Sequence, residues 1–268
     1  MKNYLLESGL KPGQQILVHT SFSRIKEAFP GITPIEVIDI LKEIITPTGS
    51  IIFPAFTYCF KKATGEFGVF DRDTSPSNVG ILSETFRKSS GVTRTSSPTH
   101  SFSLWGKAAC LINYTNSPAS PLGKGSVIEW IASVDDSYVL MIGVNFSALT
   151  LGHYIETALG LHYLNVSPWN YLNVLPIGVS AKEEQALVEV PGCSKAFTRF
   201  EDYLLKQDII KKFIKNGLES YLIPIKHLVL CGRDFLESEP KGLLCEQGTC
   251  RSCDERHVYL KNNLIPNR

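Results

Sequence analysis

The amino-acid sequence predicts an α/β fold with antiparallel additions in its second half. Short apolar runs of β-strand character alternate with segments of helical periodicity, which is the pattern of α/β proteins. Two runs in the second half, YLNVLPIGVS and QALVEV, are predicted to form an antiparallel pair. Apolar residues make up 43% of the 268 residues and charged residues 20%, so we expect a folded chain with a substantial core.

Local patterns predict the elements of the first part of the chain. The apolar run at 14–22 predicts the first strand, and a second strand follows in IIFPAFT. Between them, residues 33–45 predict a helix, because Thr33 and Glu36 form a capping box and Pro34 suits the first helical position. A further helix is predicted from about residue 78 to residue 89.

The second part continues the alternation of helices and strands. Ser126 and Glu129 predict a capped helix over 126–134, and the apolar run at 138–144 predicts a buried strand. A long amphipathic helix is predicted over 198–217, with Thr198 and Glu201 as a third capping box and Gly217 as its end. We expect one domain over residues 1–268, with the cysteine-rich tail at 240–268 as a structural appendage.

Charge and composition exclude several classes of function. The formal net charge of +1 gives no field that would recruit nucleic acid, and no basic stripe is interleaved with aromatic residues. No apolar run approaches the roughly 18 residues that span a bilayer, and the N-terminal residues do not have the pattern of a secretory signal. Seven dispersed cysteines indicate a reducing compartment, so we expect a cytoplasmic protein.

The segment SALTLGHYIE places His153 and Glu156 three residues apart on a predicted helix that follows a buried strand. Residues at this spacing share a helix face, and a glutamate fixes the tautomer of a histidine that it contacts. Ligands of open α/β sheets bind beyond the carboxyl ends of strands, so the pair suits a general base. Spacing alone equally describes an ordinary surface pair on an amphipathic helix.

Six motifs resemble, in the same order, those of the aminoglycoside 3-N-acetyltransferase family. The motifs are LVHTSFSRI, TPTGSIIFPAFTY, FDRDTSPSNVGILSETFR, GVTRTSSPTHSFSLWG, SPLGKGSVIEWI and VLMIGVNFSALTLGHYIE. The resemblance runs from about residue 14 to 160 and continues more loosely to about 237. It implies a three-layer α/β/α sandwich with a central mixed sheet, acetyl-CoA as co-substrate, an amine acceptor, and His153 as a base supported by Glu156.

The resemblance also implies two groups of binding residues. On the cofactor side they are His19, Thr20, Ser21, Ser23, Thr99, His100, Ser101 and Ser126, and on the acceptor side Asp71 and Glu84. Hydroxyls and backbone N–H groups at strand ends and helix starts suit the phosphates or pantetheine of coenzyme A, and carboxylates suit an ammonium. The simpler interpretations are polar turns, an exposed loop histidine, a turn aspartate and a solvated helix face.

Two departures from the family concern the acceptor. Ser97 stands in RTSSP where many relatives have a histidine, and the nearly neutral charge suits a monoamine better than a polycation. The sequence therefore predicts an N-acetyltransferase for an aminoglycoside or related amino sugar, or for a nucleotide-linked amino sugar. A non-catalytic protein that binds coenzyme A or a sugar is the third hypothesis. A homodimer is a further possibility.

The tail contains CEQGTCRSCDERH, in which Cys245, Cys250, Cys253 and His257 offer four ligands for a structural zinc ion. Their C-x4-C-x2-C-x3-H spacing is not a well-attested zinc pattern. The simpler interpretation is a cytosolic tail with free thiols and, at most, one adventitious disulfide.

Overall fold

The computed structural model describes residues 1–263, in which a mixed sheet lies between two layers of helices. The strands are β1 (Gln15–Thr20), β2 (Ser50–Pro54), β3 (Phe60–Lys62), β4 (Thr93–Arg94), β5 (Phe102–Gly106), β6 (Ser137–Ile142), β7 (Val174–Val179), β8 (Glu184–Ala186), β9 (Phe213–Lys215) and β10 (Leu218–Pro224). The α-helices are α1 (Lys2–Glu7), α2 (Phe22–Ala28), α3 (Pro34–Ile45), α4 (Ile81–Arg87), α5 (Lys107–Leu111), α6 (Val127–Ser133), α7 (Leu151–Ala158), α8 (Thr198–Lys206), α9 (Ile225–Ser238) and α10 (Arg251–Asn263).

The central sheet has the strand order β4-β5-β2-β1-β6-β10-β9, and β3, β7 and β8 form a second sheet. Strand β1 runs parallel to β2 and β6, whereas β5 and β10 are antiparallel to their inner neighbours. The carboxyl ends of three parallel strands therefore meet at one edge, where α/β sheets bind ligands. The predicted fold class is confirmed, including the antiparallel pair of β7 and β8.

The alternation of side chains along β1 divides the core into two layers. Leu17 faces the cluster that includes residues of α6, α7, α8 and α9. Ile16 and Val18 face the other cluster, with residues of α1 to α4. Because successive strand residues point to opposite faces, a central strand that buries apolar residues on both faces requires a helical layer on each side. This confirms the predicted α/β/α layering.

Two of the three predicted helix caps are present. Thr33 and Glu36 form the full capping box of α3. The Ser126 hydroxyl caps α6, although the Glu129 carboxylate accepts from the N–H of Gly125 rather than from the cap residue. No described helix within residues 1–263 has the length and hydropathy that a bilayer span requires.

The prediction of one long helix over 198–217 is wrong. Helix α8 ends at Lys206, Asp208 has a positive φ of 53°, and the chain then forms β9 and pairs with β10. The predicted cap at Thr198 is also wrong, because its hydroxyl donates to the carbonyl of Lys195. The segment predicted at 78–89 is helical only over α4. After α8, the pairing of β9 with β10 overrides the helical pattern. Before α4, the N–H of Asn78 donates to the carbonyl of Phe56 instead of beginning the helix.

Glu201 of α8 is a buried structural residue rather than a cap. Its carboxylate accepts from the backbone N–H of Phe146 at 2.8 Å and from the hydroxyl of Tyr221 at 2.5 Å. These bonds join α8 to the loop that leads from β6 to α7 and to β10. The Glu201 side chain thus fixes the approach to the helix that carries His153.

We expect Glu201→Ala to lower the free energy of unfolding by about 2–4 kcal/mol, because it leaves a buried N–H group unsatisfied and opens a cavity. Tyr221→Phe removes one hydrogen bond and almost no volume, so we expect a smaller loss of about 1 kcal/mol. Urea unfolding of both variants measures the difference. Equal losses, or no loss for Glu201→Ala, would contradict this structural role.

Candidate active site

A cavity of about 680 Å³ opens at the carboxyl ends of the parallel strands. Strand β1 contributes Val18, His19 and Thr20, and the segment after β6 contributes the residues from Ser147 to Thr150 together with His153. A cavity of this size at this position is typical of a small-molecule or cofactor site. Most of its wall is apolar, and a few polar groups converge on it.

His153 lies in the wall of this cavity, and its side chain is largely buried. Its Nδ1 is 2.8 Å from Oε2 of Glu156, which is itself 1% exposed. The second carboxylate oxygen, Oε1, accepts from the hydroxyl of Tyr163 at 2.7 Å. Because an ionised carboxylate only accepts hydrogen bonds, Nδ1 carries the proton and Nε2 remains the basic nitrogen.

Tyr163 is also fully buried and belongs to the short 3-10 helix His162–Asn165. Burial and the adjacent Glu156 carboxylate raise the pKa of its hydroxyl well above the usual value. The phenol therefore keeps its proton and donates a hydrogen bond to the carboxylate. On its other face, the guanidinium of Arg256 lies 5.3 Å from the ring centroid.

The backbone of α7 approaches its neighbour closely beside His153. The ring of Phe197 stands edge-on to the imidazole, with 4.8 Å between the centroids. A Cβ atom at Gly152 would lie 2.3 Å from Cε2 of Phe197, which no side chain can occupy. Glycine at this position therefore permits the contact that holds the imidazole ring in place.

Four of the predicted site residues share the cavity: His19, Thr20, His100 and His153. Burial lowers the pKa of His19 to about 3, and burial together with the charge of His153 lowers the pKa of His100 to about 3. His19 Nε2 lies 3.3 Å from the hydroxyl of Thr150. Both buried rings are therefore neutral at physiological pH.

The remaining predicted cofactor residues do not line the cavity, and the structure gives each another partner. Ser21 and Ser23 contact each other at the start of α2. The Ser126 hydroxyl caps α6. Ser101 donates to the carbonyl of Ala55 at 2.7 Å. Thr99 is buried and lies 3.0 Å from Nδ1 of His100, so it supports a cavity residue from behind.

The two predicted acceptor residues also lie outside the cavity. Asp71 holds a turn, since its Oδ1 accepts from the N–H groups of Asp73 and Thr74. The Glu84 carboxylate pairs with Arg87 at 2.7 Å and with Lys88, and hydrogen bonding from Arg87 lowers its pKa to about 2. Ser97, at the position of the family histidine, accepts from the N–H of His100.

Sequence reasoning missed several residues of the cavity. Aromatic side chains of Phe56, Tyr58 and Phe60 line it close to His100, and Trp169 lines it while donating to the carbonyl of Pro191. Lys62 and Lys195 add positive charge. The aromatic residues at 56, 58 and 60 alternate along FTYCF, and this pattern was the available signal.

A second cavity of about 610 Å³ lies beside α7 and is lined by Ser120, Glu129, Tyr154, Thr157 and Glu189, among others. The Glu189 carboxylate accepts from the hydroxyl of Ser120 at 2.5 Å. Burial raises its pKa, and a charged His153 opposes that shift. Glu189 is therefore within electrostatic range of the imidazole. No motif in the sequence identified it.

The cysteines of the tail do converge, but with a different fourth partner. The sulfur atoms of Cys193, Cys245, Cys250 and Cys253 all lie within 4.8 Å of one another. His257 is not among them, because its Nε2 donates to the carbonyl of Cys245 at 2.8 Å. The observed cluster therefore differs from the predicted set at one position: Cys193 stands where His257 was expected.

Comparisons with known proteins agree with this fold. A model of the family described as aminoglycoside 3-N-acetyltransferase matches residues 17–237. Aminoglycoside N(3)-acetyltransferase IV of Salmonella sp. is 29% identical over 154 residues, which are 57% of this chain and 55% of the relative. The SPbeta prophage-derived aminoglycoside N(3')-acetyltransferase-like protein YokD of Bacillus subtilis (strain 168) is 30% identical over 172 residues, covering 55% and 60%.

The matched region thus spans little more than half the length of these curated relatives. The likeness to solved structures is more extensive. The apoenzyme of aminoglycoside acetyltransferase AAC(3)-IVa superposes with a TM-score of 0.78 at 22% identity, over 96% of this chain and 95% of that one. AAC-IIIb in a binary complex with CoASH gives 0.69 at 20% identity, over 88% and 94%. Both share the fold.

The two neutral buried histidines make stability depend on pH. Their folded pKa values lie below the unfolded value of about 6.5, so their full stabilisation is present above that pH and is lost as the pH falls toward 3. Each contributes a slope of about 1.4 kcal/mol per pH unit below that value. We expect His100→Gln to reduce the slope of unfolding free energy between pH 6 and 5 by about that amount.

Urea unfolding at several pH values measures the slope, with His162→Gln, a change at an exposed histidine, as the matched control. A slope in the His100→Gln variant equal to that of the unmodified protein would contradict the neutral buried imidazole.

Proposed function

Because the chain belongs to the aminoglycoside 3-N-acetyltransferase family, we propose that it transfers an acetyl group from acetyl-CoA to a primary amine, with His153 as general base. The observation that carries this proposal is the buried hydrogen-bonded chain from Tyr163 through Glu156 to His153. A buried carboxylate is costly unless it is fully hydrogen bonded. A protein that only binds coenzyme A or a sugar has no need of such an arrangement.

The acceptor amine is protonated in water and must lose a proton before it attacks the thioester. Nε2 of His153 accepts that proton, directly or through a water molecule, while Glu156 stabilises the resulting imidazolium. The amine nitrogen forms a bond to the acetyl carbon and the carbon–sulfur bond breaks. The second proton of the amine passes to the departing sulfur, so coenzyme A leaves as a thiol. Both substrates bind together, and this proximity supplies much of the rate.

The cavity suits coenzyme A as the substrate that donates the acetyl group. Its apolar walls, which include Val18, Phe56 and Leu149, accept a pantetheine arm, and Lys62 and Lys195 offer positive charge for phosphates. Of the residues implied by the family resemblance, His19, Thr20 and His100 lie on this wall. We propose that these three are the cofactor contacts and that Thr99 acts through His100.

The oxyanion of the tetrahedral intermediate requires a donor close to His153. In the VNFS segment, the N–H groups of Phe146 and Ser147 are occupied, since they donate to side chains. The hydroxyl of Thr150 lines the cavity one helical turn from His153 and contacts His19. We propose that this hydroxyl stabilises the oxyanion.

Direct transfer is favoured over a covalent route through Cys59 or Cys110, the two cysteines in the first half of the chain. Burial raises the pKa of the Cys59 thiol, so it is not the thiolate that nucleophilic catalysis needs. Cys110 is exposed and lies outside the cavity.

We place the acceptor ammonium beside Glu189. This carboxylate lines the second cavity beside α7 and is within electrostatic range of His153. Of the described residues that line the main cavity, none is an aspartate or glutamate, whereas Lys62 and Lys195 are cationic. This distribution favours an acceptor with few positive charges, such as a nucleotide-linked amino sugar, as the alternative to an aminoglycoside.

We expect His153→Gln to lower kcat for acetyl transfer by about 10²–10⁴-fold, the usual contribution of a general base. A thiol-release assay with acetyl-CoA measures kcat across aminoglycosides and amino-sugar nucleotides, and the best acceptor identifies the substrate class. His227→Gln changes an exposed histidine of α9 and is the matched control. Retention of more than about a tenth of the activity in His153→Gln would refute the base role.

We expect Glu189→Gln to raise KM for the amine by about ten- to a hundredfold while kcat changes little, because it removes a charge-assisted contact that ground state and transition state share. Glu129→Gln alters another carboxylate of the same cavity and serves as the control. An unchanged KM for Glu189→Gln would place the acceptor elsewhere.

A further inference from the structure

Four cysteines from three separate positions meet under the C-terminal helix. Cys193 comes from the loop before α8, Cys245 and Cys250 precede α10, and Cys253 lies in the first turn of α10. Their sulfur atoms lie within 4.8 Å of one another, and those of Cys193 and Cys245 are 3.8 Å apart. Such mutual proximity of all four thiols is a property of the fold, since Cys193 is remote from the other three in the sequence.

We propose that these four cysteines bind one zinc ion as a tetrathiolate site. In a tetrahedral site with zinc–sulfur bonds of about 2.3 Å, neighbouring sulfur atoms lie about 3.8 Å apart, which is the observed separation of Cys193 and Cys245. A disulfide requires about 2.05 Å. An iron–sulfur cluster binds its cysteines through different iron atoms, so their sulfurs would lie farther apart than in this cluster.

The backbone around the cluster has the form of a metal-binding turn. The N–H groups of Cys253 and Asp254 both donate to the carbonyl of Cys250 at 2.9 Å, so the C-x2-C segment is a tight turn at the helix start. The N–H of Lys195 donates to the Cys193 sulfur at 3.4 Å. Cysteine pairs with this short spacing are the usual ligands of structural zinc sites.

The site would hold the C-terminal helix against the wall of the active site. The Cys193 loop lines the main cavity, and Gly192 approaches Arg256 so closely that a Cβ atom there would lie 2.5 Å from Nη1. Arg256 in turn donates to the carbonyl of Val190 and covers the ring of Tyr163. Four protein ligands leave no open position, so the ion is structural. Arg256 contacts Val190 and Tyr163 and is therefore a positioning residue.

Metal analysis of the full-length protein tests the site. After reduction, incubation with Zn²⁺ and removal of excess metal, we expect about one zinc ion per chain, and under about 0.2 in Cys253→Ser. Cys231→Ser changes a cysteine outside the cluster and should retain the ion. His257→Ala should also retain it, whereas a site that used His257 would lose it.

The binding of Co²⁺ to the reduced wild-type protein gives a second measurement that does not depend on whether a variant folds. Sulfur-to-cobalt charge-transfer bands at a stoichiometry of one support the tetrathiolate site. Under about 0.2 equivalents of zinc in the wild type, together with seven thiols that react freely or with disulfides seen by mass spectrometry, would overturn the proposal.

The effect on catalysis rests on the proposed function and is measured separately. We expect removal of the zinc ion by a chelator to lower kcat and to raise KM for acetyl-CoA, because the Cys193 loop carries Lys195 in the cavity wall, and added Zn²⁺ to restore both. Full activity of the metal-free protein would overturn the positioning role of the tail. Inactivity of both the zinc-bound and the metal-free protein with every amine would instead count against the proposed acetyl transfer. The zinc stoichiometry would still decide whether the metal site exists.

Discussion

The buried carboxylate of Glu156 is the constraint on which the site depends. An ionised carboxylate in a low-dielectric interior costs several kcal/mol unless donors surround it. Here one oxygen accepts from the imidazole of His153 and the other from the hydroxyl of Tyr163. The two bonds fix both neighbouring groups at once, so the imidazole has one orientation and one tautomer.

The central sheet determines where these hydrogen-bonded residues lie relative to the main cavity. Parallel pairing of β1 with β2 and β6 brings three carboxyl ends to one edge, and antiparallel β5 adds His100 from the segment that precedes it. Burial keeps His19 and His100 neutral. Their rings therefore offer polar atoms to a ligand without adding positive charge that would repel an approaching ammonium.

Local patterns were predicted correctly, because their partners are neighbours in sequence. The capping box of α3 and the contact of His153 with Glu156 both depend on residues three apart. Predictions were wrong where the contact of a side chain depends on a residue that is distant in the sequence. Glu201 has the spacing of a cap, yet it bonds to Phe146 and Tyr221, which lie on other elements.

The same reason explains why several predicted site residues lie outside the main cavity. The family resemblance placed Ser101 in a cofactor site. In the structure its hydroxyl accepts from the guanidinium of Arg94 and donates to the carbonyl of Ala55. A motif identifies which segment forms the site, whereas the direction of each side chain depends on packing. Cys193 was missed as a partner of the tail because 52 residues separate it from Cys245, and no local pattern connects them.

The direction of each hydrogen bond in the chain from Tyr163 through Glu156 to His153 follows from the protonation state of the buried Tyr163. Arg256 is fully buried beside Tyr163, and its positive charge favours ionisation of the phenol, but burial and the Glu156 carboxylate oppose this more strongly. Tyr163 therefore stays protonated and donates to Glu156, which must then accept from Nδ1 of His153. Since only Nε2 remains as an acceptor, the tail that packs against Tyr163 helps to determine which nitrogen of His153 is available to accept a proton in the proposed reaction.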